Sequence, residues 1–204
     1  IYALGNIFWE IQNYDKMVRL YKKAVMRYPT NSKAHFELGK AYYKMLRVGD
    51  AIEELKKVIN LDSNHKEVYY ELGKLYVDNG MHQEAVGILE RAVQITPDNG
   101  EAHFLLAKAY EGINRKDKAT EAFKKAQGQM EENYEVLLNV GQDYFEHGNY
   151  EEALKELTKA SEFPEATSMV YFILGKTYKA LGMKEEYAQA MEKADQLMTK
   201  EEEL

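Results

Sequence analysis

Apolar residues recur at three- and four-residue intervals along the chain, and each run of them ends at a turn signal. The stretch 66–99 shows the pattern. KEVYYELGKLYVD carries Val68, Tyr69, Leu72, Leu75 and Tyr76 on one helical face, and Asn79-Gly80 then ends the run as a helix C-terminal signal. QEAVGILERAVQI follows with Ala85, Val86, Leu89, Ala92 and Val93, again on one face. Thr96-Pro97-Asp98-Asn99 stops that helix, and its Asp and Asn can cap the next one. No strand alternation is present. The pattern predicts helical hairpins throughout.

The hairpins repeat at a fixed period. Stepping 34 residues from Gly39 reaches Gly73, Ala107, Gly141 and Gly175, and one step back reaches Gly5. Three residues after each small residue stands an aromatic: Phe8, Tyr42, Tyr76, Tyr110, Tyr144 and Tyr178. Before each stands Leu4, Leu38, Leu72, Leu106, Val140 or Leu174. Twelve residues after it lie Met17, Ala51, Ala85, Ala119, Ala153 and Tyr187, and nineteen after it Ala24, Val58, Ala92, Ala126, Ala160 and Ala194. The physical reason for the small residue is closeness. Two helices joined by a short turn approach to roughly 8–10 Å, and Gly or Ala at the crossing permits it. One hairpin buries only part of its apolar surface, so stacking on the next is required and a continuous core follows. The blocks are 1–31 (short at its start), 32–65, 66–99, 100–133, 134–167 and 168–201, read as one solenoid over 1–204.

These residues resemble the tetratricopeptide repeat. Its pattern is read here as Leu38-Gly39-Tyr42-Ala51-Leu55-Val58, as Leu72-Gly73-Tyr76-Ala85-Leu89-Ala92-Pro97, and in the first repeat as Leu4-Gly5-Phe8-Tyr21-Ala24-Pro29. Met17 and Tyr187 depart at the mid-repeat Ala; Ser63 and Glu131 replace the terminal Pro, and Pro164 comes one place early. The family's polar capping helix is not visible, and the last helix is expected to run through Ala194 and Leu197 toward KEEEL. The pentatricopeptide RNA-reading repeat is disfavoured by the 34-residue spacing, the Gly–aromatic signature and the acidic balance. The resemblance implies an all-α fold, a right-handed α-solenoid or superhelix of helix–turn–helix repeats. It also implies a concave groove lined by the first helices that holds a peptide or protein surface.

The groove residues are expected on the first helices, away from the hairpin seam. The fifth place of each repeat gives Tyr2, Phe36, Tyr70, Phe104, Leu138 and Phe172; the ninth gives Asn6, Lys40, Lys74, Lys108, Gln142 and Lys176. The twelfth gives Trp9, Tyr43, Val77, Glu111, Phe145 and Lys179, on the same stripe by the three–four rule. With Asn139 at a sixth place, the candidate set is Tyr2, Asn6, Trp9, Phe36, Lys40, Tyr43, Tyr70, Lys74, Phe104, Lys108, Asn139, Phe172 and Lys176. Two readings compete. The rings and lysines anchor a peptide, or the lysine stems merely cover the rings while their ammonium groups pair with Glu37, Glu67, Glu71, Glu101 and Glu135. One subgroup of the family clamps the C-terminal tails of the chaperones Hsp70 and Hsp90. That clamp needs Lys and Asn at places five and nine, then Asn at a sixth place, then Lys and Arg. The first repeats offer Tyr2, Asn6, Glu37, Glu67 and Glu71, and the fourth onward offers Phe104, Lys108, Asn139, Met169 and Ile173. One match each, with glutamates that repel a carboxylate, argues against a chaperone tail as partner.

Composition narrows the function classes. There are 27 basic and 34 acidic residues, net −7, so covering nucleic-acid phosphates is not the task. No cysteine is present, which removes disulfides, thiolate catalysis and thiolate metal sites. No apolar run is long enough to span a membrane. The compartment is left open, with a soluble, cytoplasmic chain favoured. It opens at Ile1 with a helix already under way, and is expected to be a piece of something longer. Five histidines occur. His35 and His103 share one place and are expected to pack, while His65, His82 and His147 lie near turns and are expected to be solvated. No HExxH, nucleophile elbow or phosphate loop exists, and the pairs Glu53-Glu54, Glu131-Glu132 and Glu151-Glu152 point to different helix sides. No cofactor, no metal and no enzymatic activity is expected. Charge is uneven: 1–65 holds 11 basic and 7 acidic residues, 134–204 holds 7 basic and 15 acidic. With apolar ends at Ile1 and Leu4 and at Ala194 and Leu197, this raises head-to-tail self-association into a homo-oligomer. The expected function is a protein-interaction scaffold or adaptor. The alternatives are a self-associating platform and the docking domain of a larger enzyme or membrane-anchored protein.

Overall fold

The structure, a computed structural model, describes residues 1–129 and 133–202. Glu131 and Glu132, and the last residues of KEEEL, lie outside the described residues. The described residues form twelve helices. They pair as α1 Tyr2–Glu10 with α2 Tyr14–Arg27, α3 Ser32–Lys44 with α4 Val48–Leu61, and α5 Lys66–Asp78 with α6 His82–Ile95. Then come α7 Gly100–Gly112 with α8 Lys116–Gln127, α9 Tyr134–Glu146 with α10 Tyr150–Ser161, and α11 Ser168–Ala180 with α12 Lys184–Glu202. The packing falls into two compact units, one of Ile1–Asp98 with Lys108–Asn114, the other of Asn99–Ala107 with Arg115 onward. Helix α7 contributes to both.

Every hairpin turns in the same way. The second residue past the first helix takes a left-handed backbone at Gln12, Leu46, Gly80, Asn114, Gly148 and Gly182, six positions one repeat apart. The next N–H then reaches back to the carbonyl of the signature aromatic. Asn13 N donates to Phe8 O at 2.8 Å, Arg47 to Tyr42 at 2.9 Å and Met81 to Tyr76 at 2.8 Å. Asn149 to Tyr144 and Met183 to Tyr178 repeat the bond at 2.9 Å. This is the six-to-one bond of a Schellman motif, and it satisfies a carbonyl that the helix end leaves open. The donor residues Asn13, Arg47, Met81 and Asn149 are also the N-caps of the following helices. The first helices start from their own caps: Asn31, Asn99 and Asn133 Oδ1 accept from Ala34, Ala102 and Val136 N, and His65 Nδ1 accepts from Val68 N.

Side chains sixteen residues downstream fill the space above the repeat glycines. A Cβ added at Gly39 would stand 2.9 Å from Leu55 Cγ, at Gly141 2.7 Å from Leu157 Cγ and at Gly175 2.7 Å from Met191 Sδ. Leu89 crowds Gly73 more closely still, and Tyr21 presses its hydroxyl on Gly5. Leu55, Leu89 and Leu157 are buried, so these crossings are the hairpin cores. The departures from the repeat pattern pack too: Met17 is buried and Tyr187 half-buried. Between hairpins, Leu137, Leu157, Val170, Ile173 and Leu174 form one cluster in the second compact unit.

The ends differ from expectation. Ile1, Leu4, Ile7 and Ile11 are exposed along α1, but Ala194 is only 5% exposed and Leu197 is half-buried. The expected exposure of Ile1 and Leu4 is thus found, whereas on α12 Ala194 is buried and Leu197 half-buried, with Met198 exposed beside them. Helix α12 runs on through Leu197 to Glu202 as one element.

Candidate functional site

The first helices of neighbouring hairpins lie side by side within each compact unit, α3 beside α5 and α9 beside α11. In the first unit, Tyr2 is half-buried, donates its hydroxyl to Asn31 Oδ1 at 2.9 Å, and carries Lys33 Nζ 4.5 Å above its ring. Asn6 is exposed one turn on. Trp9 is half-buried with Tyr14 edge-on at 5.7 Å, and Lys40 and Lys44 Nζ stand 4.8 and 5.6 Å from its ring centroid. Lys40 also stands 5.2 Å over Phe36. Trp9, Phe36 and Lys40 are thereby brought together.

Phe36 itself is 4% exposed and rests on the His65 ring at 4.8 Å. It belongs to the packing rather than to the open face, because the α5 N-cap histidine closes over it. A recess of about 410 Å³ opens beside it, lined by Lys33, Phe36, Glu37, His65, Lys66 and Glu67 among others. Tyr43 is half-buried and donates to Asp78 Oδ2; burial and that carboxylate push its hydroxyl well above the usual phenol range. Tyr70, Lys74 and Lys108 are half-buried. Glu71 is half-buried as well. Desolvation raises its pKa, and Lys40, Lys74 and Lys44 offset this only in part.

In the second compact unit, Phe104 is half-buried, edge-on to Phe123 at 5.8 Å. Asn139 donates Nδ2 to Glu135 O at 2.8 Å, so its amide is engaged with its own helix. Phe172 is 39% exposed with Lys176 Nζ 4.3 Å over its ring. Lysines covering rings therefore occur in both units, as the packing alternative expects. One ion pair of the kind it expects is Lys40 Nζ at 3.8 Å from Glu37 Oε2.

Two residues of the first face escape the sequence reading, Lys44 and Asp78. Both occupy the thirteenth place, four residues beyond the ninth, and extending the stripe by that step finds them. The histidines also divide differently. His35 is buried as expected, but its Nδ1 lies 2.5 Å from Glu54 Oε2 and its Nε2 2.9 Å from Pro29 O, so it is a bonded residue and not merely a filler. His65 is a cap and a ring partner, and His82 packs half-buried against Gly112 rather than standing in water. His147 is exposed, with Nδ1 3.2 Å from Asp143 Oδ1. Among the described residues, no three His, Cys, Asp or Glu side chains converge as metal ligands. None of the described helices is long and apolar enough to cross a membrane.

Comparison with known proteins agrees with this geometry. Three family models, each described as tetratricopeptide repeat, match residues 2–66 and 36–100, 76–126, and 170–197. No curated protein matches the sequence. Similar solved structures include YrrB, described as a TPR protein with an unusual peptide-binding site, at 20% identity and TM-score 0.75, with 87% of this chain and 91% of that one covered. MamA from Desulfovibrio magneticus RS-1 aligns at 21% identity and TM-score 0.70, covering 78% of this chain and 90% of that one. The pilF protein of Pseudomonas aeruginosa aligns at 18% identity and TM-score 0.73, covering 92% and 86%. At these identities the likeness is one of fold. Six hairpins turned by one recurrent backbone motif, and repeat models matched along both halves of the chain, make this protein a member of the tetratricopeptide repeat family.

Proposed function

We propose that the chain is a non-enzymatic adaptor that binds a peptide or protein segment on the faces lined by its first helices. Tetratricopeptide repeat proteins are protein-interaction scaffolds, and this chain has their architecture. One observation carries the finer reading. The aromatic and lysine side chains at the fifth, ninth and twelfth places are for the most part half-buried or exposed, outside the hairpin seams that the glycines close. Half-exposed rings at regular spacing are rigid anchors that lose little entropy on binding. A partner laid along such a face meets one ring per hairpin and leaves without chemical change.

The test is an affinity pull-down with the intact chain, repeated after Tyr70→Ala in the first unit together with Phe104→Ala in the second. Partner capture should fall by at least about tenfold, since each lost aromatic anchor is worth over about 1 kcal/mol. Equal capture by a double variant of unchanged helicity would rule out these anchors.

A further inference from the structure

Beyond the peptide-binding faces of the first helices, we propose that the outer face of α2 docks on an anionic lipid bilayer. Helix α2 buries Met17, Val18, Tyr21 and Ala24 on its inner side. On its outer side Lys16, Arg19, Lys23 and Arg27 follow one another at three- and four-residue steps, with Lys22 beside them, and all five are exposed. Asp15 is the one acid of the helix. None of the five cations makes an ion pair among the described residues. Lys16 and Lys22 Nζ stand 5.9 and 5.7 Å from the ring centroids of Phe8 and Tyr42, contacts that leave their N–H donors free for an anion.

The other second helices compose this face differently. In α4 and α8 the place of Arg19 holds Glu53 and Glu121, which pair with Lys57 and Lys125 one turn on, at 2.7 and 2.8 Å. Helix α2 has Arg19 and Lys23 at the same two places, so a favourable pair gives way to like charges, an arrangement that weakens a helix. Folding supplies no reason for the exchange. Asp50, Glu84, Glu152 and Glu186 likewise stand where α2 has Lys16. Met26, 82% exposed, takes the place of Asn60, Gln94, Gly128, Glu162 and Gln196. Tyr28, the helix C-cap, is exposed nearby, with Arg27 Cζ 5.7 Å over its ring. These apolar side chains among the cations decide the kind of anion. A bilayer uses both: basic stems hold their charges at the headgroups while Met and Tyr enter the interface. The chain as a whole is acidic at net −7. Charges beyond about 8–10 Å are screened at physiological salt, so a bilayer reads the local surplus of α2.

The probes are vesicles of phosphatidylcholine alone and of phosphatidylcholine with phosphatidylserine, read by co-sedimentation with the intact chain. The chain should bind the phosphatidylserine vesicles and leave them as salt is raised. Arg19→Glu builds the Glu–Lys pair of α4 and α8. It should melt no lower than wild type, yet bind these vesicles at least about tenfold more weakly. Lys193→Glu makes the same change of net charge at the equivalent of the Lys23 place, exposed on α12, and should bind as wild type does. Met26→Gln should bind about threefold more weakly at unchanged helicity. The inference is overturned by equal binding to both vesicles, by binding to neither, or by equal losses from Arg19→Glu and Lys193→Glu. Vesicle binding untouched by Met26→Gln overturns it as well. Tighter binding to soluble polyglutamate than to vesicles overturns it in favour of an acidic protein partner. The peptide-binding faces lie on other helices, and their own test, partner capture, stands apart from these outcomes.

Discussion

Leu46 holds a left-handed backbone, φ 58°, with its side chain 83% exposed. Equivalent turns use Gly80, Gly148 and Gly182, which have no Cβ to crowd the carbonyl. Leu46→Gly should therefore raise stability by up to about 1 kcal/mol, the relief of left-handed strain less the added freedom of the unfolded chain. Urea denaturation measures it, and a lower midpoint would count against the strain. Glu71 makes a second residue-scale prediction. Its pKa is raised above the ordinary 4.5, so the folded state disfavours its charge. Its contribution is most favourable below the unfolded value and is lost as pH rises through the raised folded value. Glu71→Gln should accordingly raise the melting temperature at neutral pH and leave it nearly unchanged in acid. This scale was also the least legible in the sequence. The repeat treats Phe36 and Tyr70 as equals, but a histidine at the α5 cap buries the first of them. His82 reads as a turn residue until Gly112, thirty positions on, gives its ring a flat surface.

The elements themselves were legible almost in full, because helix period, small crossing residue and turn signal all agree in each hairpin. What periodicity alone did not yield was the partner of each glycine. Gly73 meets Leu89, and Gly141 meets Leu157, only because the turn between them has a fixed left-handed geometry. With Leu89 fully buried, Gly73→Ala should cost about 1–3 kcal/mol by overpacking. The same change at Gly87 on α6, which has open space around it, should be neutral or stabilising. Thermal melts of the two variants make the comparison. Equal effects would show that the crossing is not tight. The site stripe was legible as far as its twelfth place; Lys44 and Asp78 lay one step beyond it.

For the molecule as a whole, α1 offers exposed Ile1, Leu4, Ile7 and Ile11, and charge runs from basic in 1–65 to acidic in 134–204. Association with a second copy through α1 should increase at low salt and high concentration, and Ile7→Lys should reduce it. Light scattering reads the mass, and a monomer under every condition would remove self-association from the functions open to this chain. The burial of Ala194 was not legible in the sequence, since it depends on how α12 lies against α11. The common turn has one more consequence. Because Leu46 and Gly80 deliver the backbone in the same attitude to the same place in the next helix, they are natural splice points. A segment excised or duplicated between them would rejoin in phase, whereas loss of a single residue would swing the following helix by about 100° and turn its oily side to water.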